Sequence, residues 1–335
     1  MKSGEAGRKE KGNVKKQMRG EGRTAAVGVK REKRTVRKDI VKENLELYLM
    51  MAPVLLLIFL MAYLPLYGIV IAFQDFAPGS PILSPETEWV GWKYFEKFVT
   101  GKYFVRLFRN TLTLNLLNLI IGFPIPIIFA LLLNEIKNLK YKKFAQTVSY
   151  MPYFILTVVV ASIVLMLTGT DGLVNQIRGV FGHKPYEFNT SPSAFPWIYV
   201  ITNVWKTFGW NSILYISNMN SIDSALYESA KLDGANRWHL ARYITIPCLM
   251  PTIAVMLVLA TGGLMVGNTD LILLLYNPGV YSTADVFGTY IYRDGLLQGN
   301  FSMSTAVGLI QSVVNFALVF FANKISNKIS GNGLW

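Results

Sequence analysis

The sequence predicts an all-α membrane protein with six transmembrane helices and one short additional helix on its cytoplasmic face. Three observations carry this. Hydrophobic residues make up 52% of the 335 and charged residues only 16%, against about 25% charged in an average soluble domain. Six stretches exceed the roughly 20 apolar residues that cross a bilayer core. Five of them hold no Asp, Glu, Lys or Arg, and the sixth holds one. The net charge of +13 is also uneven, because residues 1–46 carry 15 Lys/Arg against 7 Asp/Glu. A basic balance concentrated in one tail argues against nucleic acid as a partner.

The tail 1–46 is rich in Gly, Lys, Arg and Glu. It reads as a disordered or loosely surface-bound cytoplasmic segment, serving either membrane topology and attraction to anionic lipid or partner binding. The first uncharged run, Leu47–Gln74, lies behind that tail and outlasts the apolar core of a signal peptide, so it reads as a retained anchor. The further runs are Asn110–Asn134, Phe144–Thr170, Phe188–Ile222 broken by Lys206, Tyr243–Thr269 and Gly295–Asn323. The spans expected within them are 47–74, 110–134, 144–170, 194–219, 247–269 and 302–323. Prolines recur in these runs. Neighbouring helices can satisfy the carbonyls that proline frees in a membrane bundle, and Pro247 and Pro251 read as a helix start.

Connecting segments alternate in charge. The tail, the cluster Lys137, Lys140, Lys142 and Lys143, the group Lys231, Arg237 and Arg242, and finally Lys324 and Lys328 fall on one side of six crossings. The positive-inside rule makes that side cytoplasmic and puts both termini there. Lys102, Arg106 and Arg109 are the weak point, because they crowd the external end of the second span.

Cysteine and histidine are sparse: Cys248, His183 and His239. No intrachain disulfide can form, and no metal-ligand spacing is present. No phosphate-binding G-x-x-x-x-G-K-[ST] loop and no nucleophile elbow occur.

Residues 221–247 form a predicted cytoplasmic loop that is unlike a loop. Asp223 and Ser224 suit a helix start, followed by helix formers through Leu232. Asp233-Gly234 reads as a helix stop with glycine at positive φ. Asn236 caps a second helix running through Trp238, Leu240 and Tyr243 toward the membrane. Leu226, Tyr227 and Ala230 are spaced to share one face. This element fits either a rigid contact for a soluble partner or an interfacial helix lying on lipid.

Glu228-Ser-Ala-x-x-x-Gly234, nine residues, then Ile244-x-Ile246-Pro247 resembles the EAA loop of ABC importer permeases. Ser229 stands where that pattern has Ala, and Ile246 where it has Leu. Pro53–Gln74, Asn110–Pro152, Ala194–Pro251 and Asp285–Trp335 resemble the carbohydrate branch near the maltose-type systems, so about 290 of the 335 residues are covered. Val286–Gly308 and the closing Asn323-Lys-Ile-Ser326 and Gly-Leu-Trp335 resemble the subgroup for oligosaccharides or polysaccharide fragments. The resemblance implies the type I importer fold and a bacterial cytoplasmic-membrane location. It implies a second permease subunit, usually a paralogue, two ATPase subunits and an external solute-binding protein. It implies no cofactor in this chain, with ATP and Mg held by the partner ATPase. It assigns ATPase coupling to Glu228, Ser229, Ala230 and Gly234, with Asp233, Ala235 and Arg237 as neighbours.

For the substrate pathway the residues themselves give a shortlist. Lys206 inside a span costs about 2.5–3.5 kcal/mol on insertion scales, so it faces a cavity or a partner. Trp205, Trp210 and Asn211 beside it offer aromatic faces and an amide for sugar. Gly262-Gly263…Gly267-Asn268-Thr269-Asp270 reads as a broken helix lining a cavity, or as close helix packing through small residues. Two other functions stay open at this level: a permease for peptide, phosphate or metal, and a membrane glycosyl- or phosphotransferase using Asp270, Asp285 or Asp294.

Overall fold

The computed structural model describes residues 44–83 and 87–330. Most of the expected tail and the closing Gly-Leu-Trp lie outside them. Among the described residues the elements are helical, with one isolated bridge between Gln74 and Trp89. The chain forms two compact units, one ending at Gly68 and one starting at Ile69. In the first, α1 (Leu45–Ile58) passes into a π-turn at Phe59–Tyr63 and then a tighter helix, Leu64–Phe73, that runs on into the second unit.

The second unit contains α2 (Phe104–Gly122), α3 (Pro124–Asn134), α4 (Leu139–Phe154), α5 (Thr157–Leu167), α6 (Leu173–Val180), α7 (Phe195–Met219), α8 (Ser224–Leu232), α9 (Arg237–Thr261), α10 (Thr269–Leu275) and α11 (Phe301–Ser330). Among the described residues four helices are long and apolar enough to cross a bilayer: Leu47–Phe73, Phe104–Asn134, Arg237–Thr261 and Phe301–Lys328. The pair α4 and α5 makes a fifth if counted as one span, but it is bent by 98°. The expected count of six is therefore not reached on length and apolarity. The remaining helix, α7, has 25 residues, about 37 Å at 1.5 Å per residue. It is more polar because it stands in the middle of the bundle, packed on α2, α3, α4 and α9. Thr202, Asn203 and Ser212 are buried there among protein side chains, where polar groups can be satisfied.

The third expected span, 144–170, is not one helix. Pro152 removes a ladder bond one turn before the chain leaves the helix, and Ile155 and Leu156 adopt extended ψ of 133° and 136°. The approach of α4 to α7 fixes the site of the break. A Cβ on Gly209 would run into the Ser149 carbonyl, so glycine alone lets the two backbones meet. The Tyr153 and Trp210 rings stack at 4.6 Å beside it.

Prolines in α9 correct a second expectation. Neither Pro247 nor Pro251 starts a helix, because the helix is already running from Arg237. A proline ring clashes with the carbonyl four residues back. For Pro247 that is Tyr243, inside a π-turn at Ala241–Thr245 whose wider ring removes the conflict. The same device precedes Pro65, whose clashing carbonyl at Met61 lies in the π-turn Phe59–Tyr63.

Arg106, the weak point of the charge pattern, has a partner. Asp285 is fully buried, accepting from Arg106 Nη2 at 2.8 Å, from both terminal nitrogens of Arg293 at 3.0 Å, and from Thr289 Oγ1 at 2.8 Å. Asn110 and Arg109 donate to the Ser282 carbonyl alongside. A buried carboxylate with this many donors is satisfied and immobile. These arginines tie the start of α2 to the segment 281–297.

Gly209→Ala should separate α4 from α7 and cost about 1–3 kcal/mol or more through overpacking. It should lower the thermal midpoint of the detergent-solubilised protein; an unchanged midpoint would contradict the close approach.

Candidate functional site

Two regions stand out, one at each end of α9. The first is the elbow around α8. Asp223 caps α8, its Oδ1 accepting from Ala225 N at 2.9 Å. At the other end Gly234 takes φ +81°. Ala235 N donates to Ala230 O at 2.9 Å and Gly234 N to Lys231 O at 3.1 Å, the paired bonds that close a helix through a left-handed glycine. Asn236 Oδ1 then accepts from His239 N at 2.9 Å and starts α9. Each turn of the elbow is thus written in residues that act on their own neighbours.

Glu228, Ser229, Asp233, Gly234 and Arg237 are exposed, while Ala230 and Ala235 are half-buried. Leu226 does not share the inner face with Tyr227 and Ala230; it is 48% exposed, and Leu232 beyond it is 89% exposed. The exposed surface of α8 therefore combines the apolar Leu226 and Leu232 with the charges of Glu228 and Lys231. The inner surface is tied down: Tyr227 Oη lies 3.0 Å from the Oγ1 of buried Thr245. Arg237 Nε lies 3.5 Å from Glu135 Oε2, an exposed pair worth at most about 1 kcal/mol. The Tyr227 contact joins α8 to α9 across the elbow.

The second region begins where α9 stops. Residues 262–268 leave the helix, Gly267 takes φ +60°, and α10 restarts at Thr269. Backbone groups freed in an apolar layer need partners, and side chains from three helices supply them. Asn315 Nδ2 donates to Gly262 O at 2.8 Å, Asn115 Nδ2 to Leu264 O at 2.9 Å, and Gln311 Nε2 to Met265 O at 2.6 Å. Tyr199 Oη accepts from Asn268 N at 3.2 Å, and Asn268 Oδ1 caps α10 through Leu271 N. Gly267 packs so closely on Asn115 that a Cβ would collide with its amide.

The break walls a cavity of about 580 Å³. Its polar lining includes Asn118, Asn203, Thr207, Asn211, Asn268 and Asp270, with Asn115, Tyr199 and Thr269 beside them. Amides form a chain across it, Asn268 Nδ2 to Asn203 Oδ1 at 2.9 Å and Asn203 Nδ2 to Asn118 Oδ1 at 2.8 Å. Amides both donate and accept, so this surface can exchange hydrogen bonds with hydroxyl-rich solutes.

Of the shortlist for a substrate pathway, Asn211, Asn268 and Asp270 meet in this cavity. Lys206, Trp205 and Trp210 do not line it. On α7 the stripe 203, 207, 211 faces the cavity, while the neighbouring stripe 206, 210 faces the α4–α5 break. Lys206 Nζ donates to Thr157 Oγ1 at 2.6 Å there, and Trp210 is held between Tyr153 and Phe154. Trp205 is 43% exposed on the far side of α7. Asn115, Asn118, Tyr199, Asn203 and Thr207 were missed; their one sequence signal is amide and hydroxyl groups inside otherwise apolar runs. The three aspartates of the enzyme reading are dispersed. Asp285 is locked by arginines, Asp270 lies in the amide cavity, and Asp294 lines a different cavity with Asp75. Among the described residues no His, Cys, Asp and Glu group has metal-binding geometry.

The family described as binding-protein-dependent transport system inner membrane component matches residues 104–331, which take in both helix breaks and the elbow. The chain belongs to this family. Among curated relatives of this permease, the polygalacturonan/rhamnogalacturonan transport system permease protein YteP of Bacillus subtilis is 39% identical over 313 residues, 92% of this chain and 96% of that one. The arabinooligosaccharides transport system permease protein AraP of the same organism is 25% identical, covering 85% and 90%. Among solved structures, the permease matches a chain of a bacterial alginate ABC transporter, crystallised with its alginate pentasaccharide-bound periplasmic protein. The TM-score is 0.81 at 38% identity, over 88% of this chain and 99% of that one. The chain is thus a multi-pass membrane permease with the type I importer fold.

Asn268→Ala removes both the α10 cap and the partner of Asn203. Loss of these bonds should cost about 1–3 kcal/mol, read as a lower midpoint of thermal aggregation; a midpoint equal to that of the wild type would contradict the network.

Proposed function

We propose that this permease is one of two pore-forming subunits of an ATP-driven importer that takes up an oligosaccharide or a polysaccharide fragment. One observation carries the mechanism. α9 runs unbroken for 25 residues from the exposed elbow to the helix break that walls the amide cavity, about 37 Å. Force applied to α8 therefore arrives at Gly262–Asn268 through a single helix, with Tyr227 and Thr245 holding the input end rigid.

In this reading α8 lies on the cytoplasmic side, as do both chain ends, and its outer face seats in a cleft of an ATPase subunit. Glu228 offers a carboxylate to a basic group there, Ser229 and Ala230 allow close approach, and Gly234 keeps the elbow sharp. Asp233, Ala235 and Arg237 shape the turn. Nucleotide and its Mg are held by the ATPase pair, whose closure favours one arrangement of the two permeases over the other. The amide cavity offers Asn118, Asn203, Asn211, Asn268 and Asp270 to sugar hydroxyls as the solute passes from an external binding protein. The relatives named for polygalacturonan, arabinooligosaccharide and alginate transport support a polymeric sugar over peptide, phosphate or metal. The partner permease is expected to be a paralogue.

Two variants test the coupling. In proteoliposomes holding the full transporter, Gly234→Pro should reduce oligosaccharide uptake at least about tenfold, a loss of 1.4 kcal/mol or more in coupling, while the complex still assembles. Normal uptake would overturn the lever. Glu228→Lys should lower the ATPase recovered with the purified permease, and an unchanged ratio would remove Glu228 from the contact.

A further inference from the structure

The segment between α5 and α7 holds a feature outside the transport path proposed above. α6 is strongly one-sided. Leu173, Ile177, Val180 and Phe181 recur at helical spacing and are all exposed, by 53, 50, 85 and 76%. Asn175 on the opposite side is buried and pins the helix, donating to Gly169 O and Tyr186 O and accepting from Tyr186 N. An apolar face of this kind on a short helix at the end of a span lies in the boundary layer of a membrane.

Beside it is a cavity of about 390 Å³ between α5, α6 and α7, lined by Val164, Leu167, Val174, Phe188, Trp197 and Ile198 among others. That volume is within the range of ligand sites. Its walls are almost wholly apolar. Thr168 and Thr202 are its two hydroxyl residues, and the Thr168 hydroxyl is occupied by Val164 O and Asn189 Oδ1. Ile201 lines the cavity and is itself 64% exposed, as Trp197 is at 52%. Ile163 and Met166 on α5 are exposed too. The cavity therefore adjoins the surface that a membrane permease turns to lipid. It lies along the first two turns of α7, about 25 Å or more from the end that leads to α8.

A cation stands at this cavity. The Arg178 guanidinium lies 5.7 Å from the Phe188 ring, which forms part of the wall, and 5.7 Å from the Tyr186 ring. Its Nε is buried without a partner, and its Nη2 reaches only Lys184 O, at 3.5 Å. No ion pair among the described residues includes it. An apolar slot with an unpaired guanidinium at its wall is complementary to an amphiphile with an anionic head. A sugar would find too few hydrogen-bonding groups in it.

We propose that this is a phospholipid site in the leaflet away from α8, with one acyl chain in the cavity and the phosphate against Arg178. The bound lipid continues the bilayer under α6 and holds that helix flat, with Val180 and Phe181 among neighbouring chains.

The assembled transporter in nanodiscs can be exposed to two photoactivatable lipids that share one diazirine acyl chain. One is a phosphatidylglycerol; the other is a diacylglycerol lacking phosphate. The phosphatidylglycerol should label peptides within residues 164–202 roughly fivefold more than the diacylglycerol, the scale of one charge-assisted hydrogen bond at a rim. Arg178→Gln should bring the two lipids level. Ala194→Trp, which fills the cavity from the cap of α7, should abolish both signals, with size-exclusion confirming that each complex remains assembled. Equal labelling of the wild type by the two lipids, or labelling that ignores both substitutions, would overturn the proposal. So would labelling that appears on the isolated permease and vanishes in the assembled complex, since a protein would then cover the face. None of these outcomes depends on which solute the transporter carries.

Discussion

The structure depends on a single constraint: backbone groups that leave a helix inside an apolar layer must find other partners. The break at 262–268 is where this is felt most. Its free carbonyls and amides are met by Asn115 from α2, Tyr199 from α7, and Gln311 and Asn315 from α11. Three helices are thereby held around one irregular stretch, and the space that the missing helical turns would fill becomes a cavity walled by amides. The polar interior and the helix arrangement are the same fact seen from two sides. Replacing those amides by leucines would leave carbonyls unpaired in a dry interior, at about 1–3 kcal/mol for each group.

The same logic separates stiff parts from yielding ones. The elbow is closed by bonds between near neighbours and braced by Tyr227 on Thr245. α9 keeps its continuity past two prolines. The outer end of α2 is held by a buried carboxylate with two arginines. Between these stands the break, secured by single side-chain hydrogen bonds that can be exchanged one at a time. In a machine of packed helices, rearrangement concentrates in such elements, because packed cores switch between discrete states and do not deform smoothly.

How much of this was legible in the sequence follows from the range of each interaction. Asp223, Gly234 and Asn236 act within about one turn of the chain, so the elbow could be placed from local sequence alone. Gly262, Gly263 and Gly267 were compatible with a broken helix or with close packing, and the break itself is seen only in the structure. Arg106 could be read only as a misplaced charge, because Asp285 lies 179 residues away. The cost of Lys206 was legible, but its direction was not. A difference of one residue on α7 decides whether a side chain meets the cavity or the α4–α5 break, and that azimuth is fixed by packing on α2, α3, α4 and α9, with the close approach of α4 at Gly209 among the contacts. Asn115, Asn118 and Asn203 carry no periodic signature, and their meaning appears only when α2, α7 and the break are brought together. Pro247 read as a start because sequence does not disclose that a π-turn will absorb its ring.

That π-turn separates two properties of the elbow and the helix behind it. A π-turn amounts to one surplus residue in an α-helix, and each residue advances a helix by about 100°. The residues from Ile246 to Thr261 set how far the elbow stands from the cavity. The extra residue between Ala241 and Thr245 sets the compass bearing in which α8 points. Reach and heading are thus encoded in different places and can drift independently. Any partner that seats on α8 must therefore match its phase about the helix axis as well as its surface.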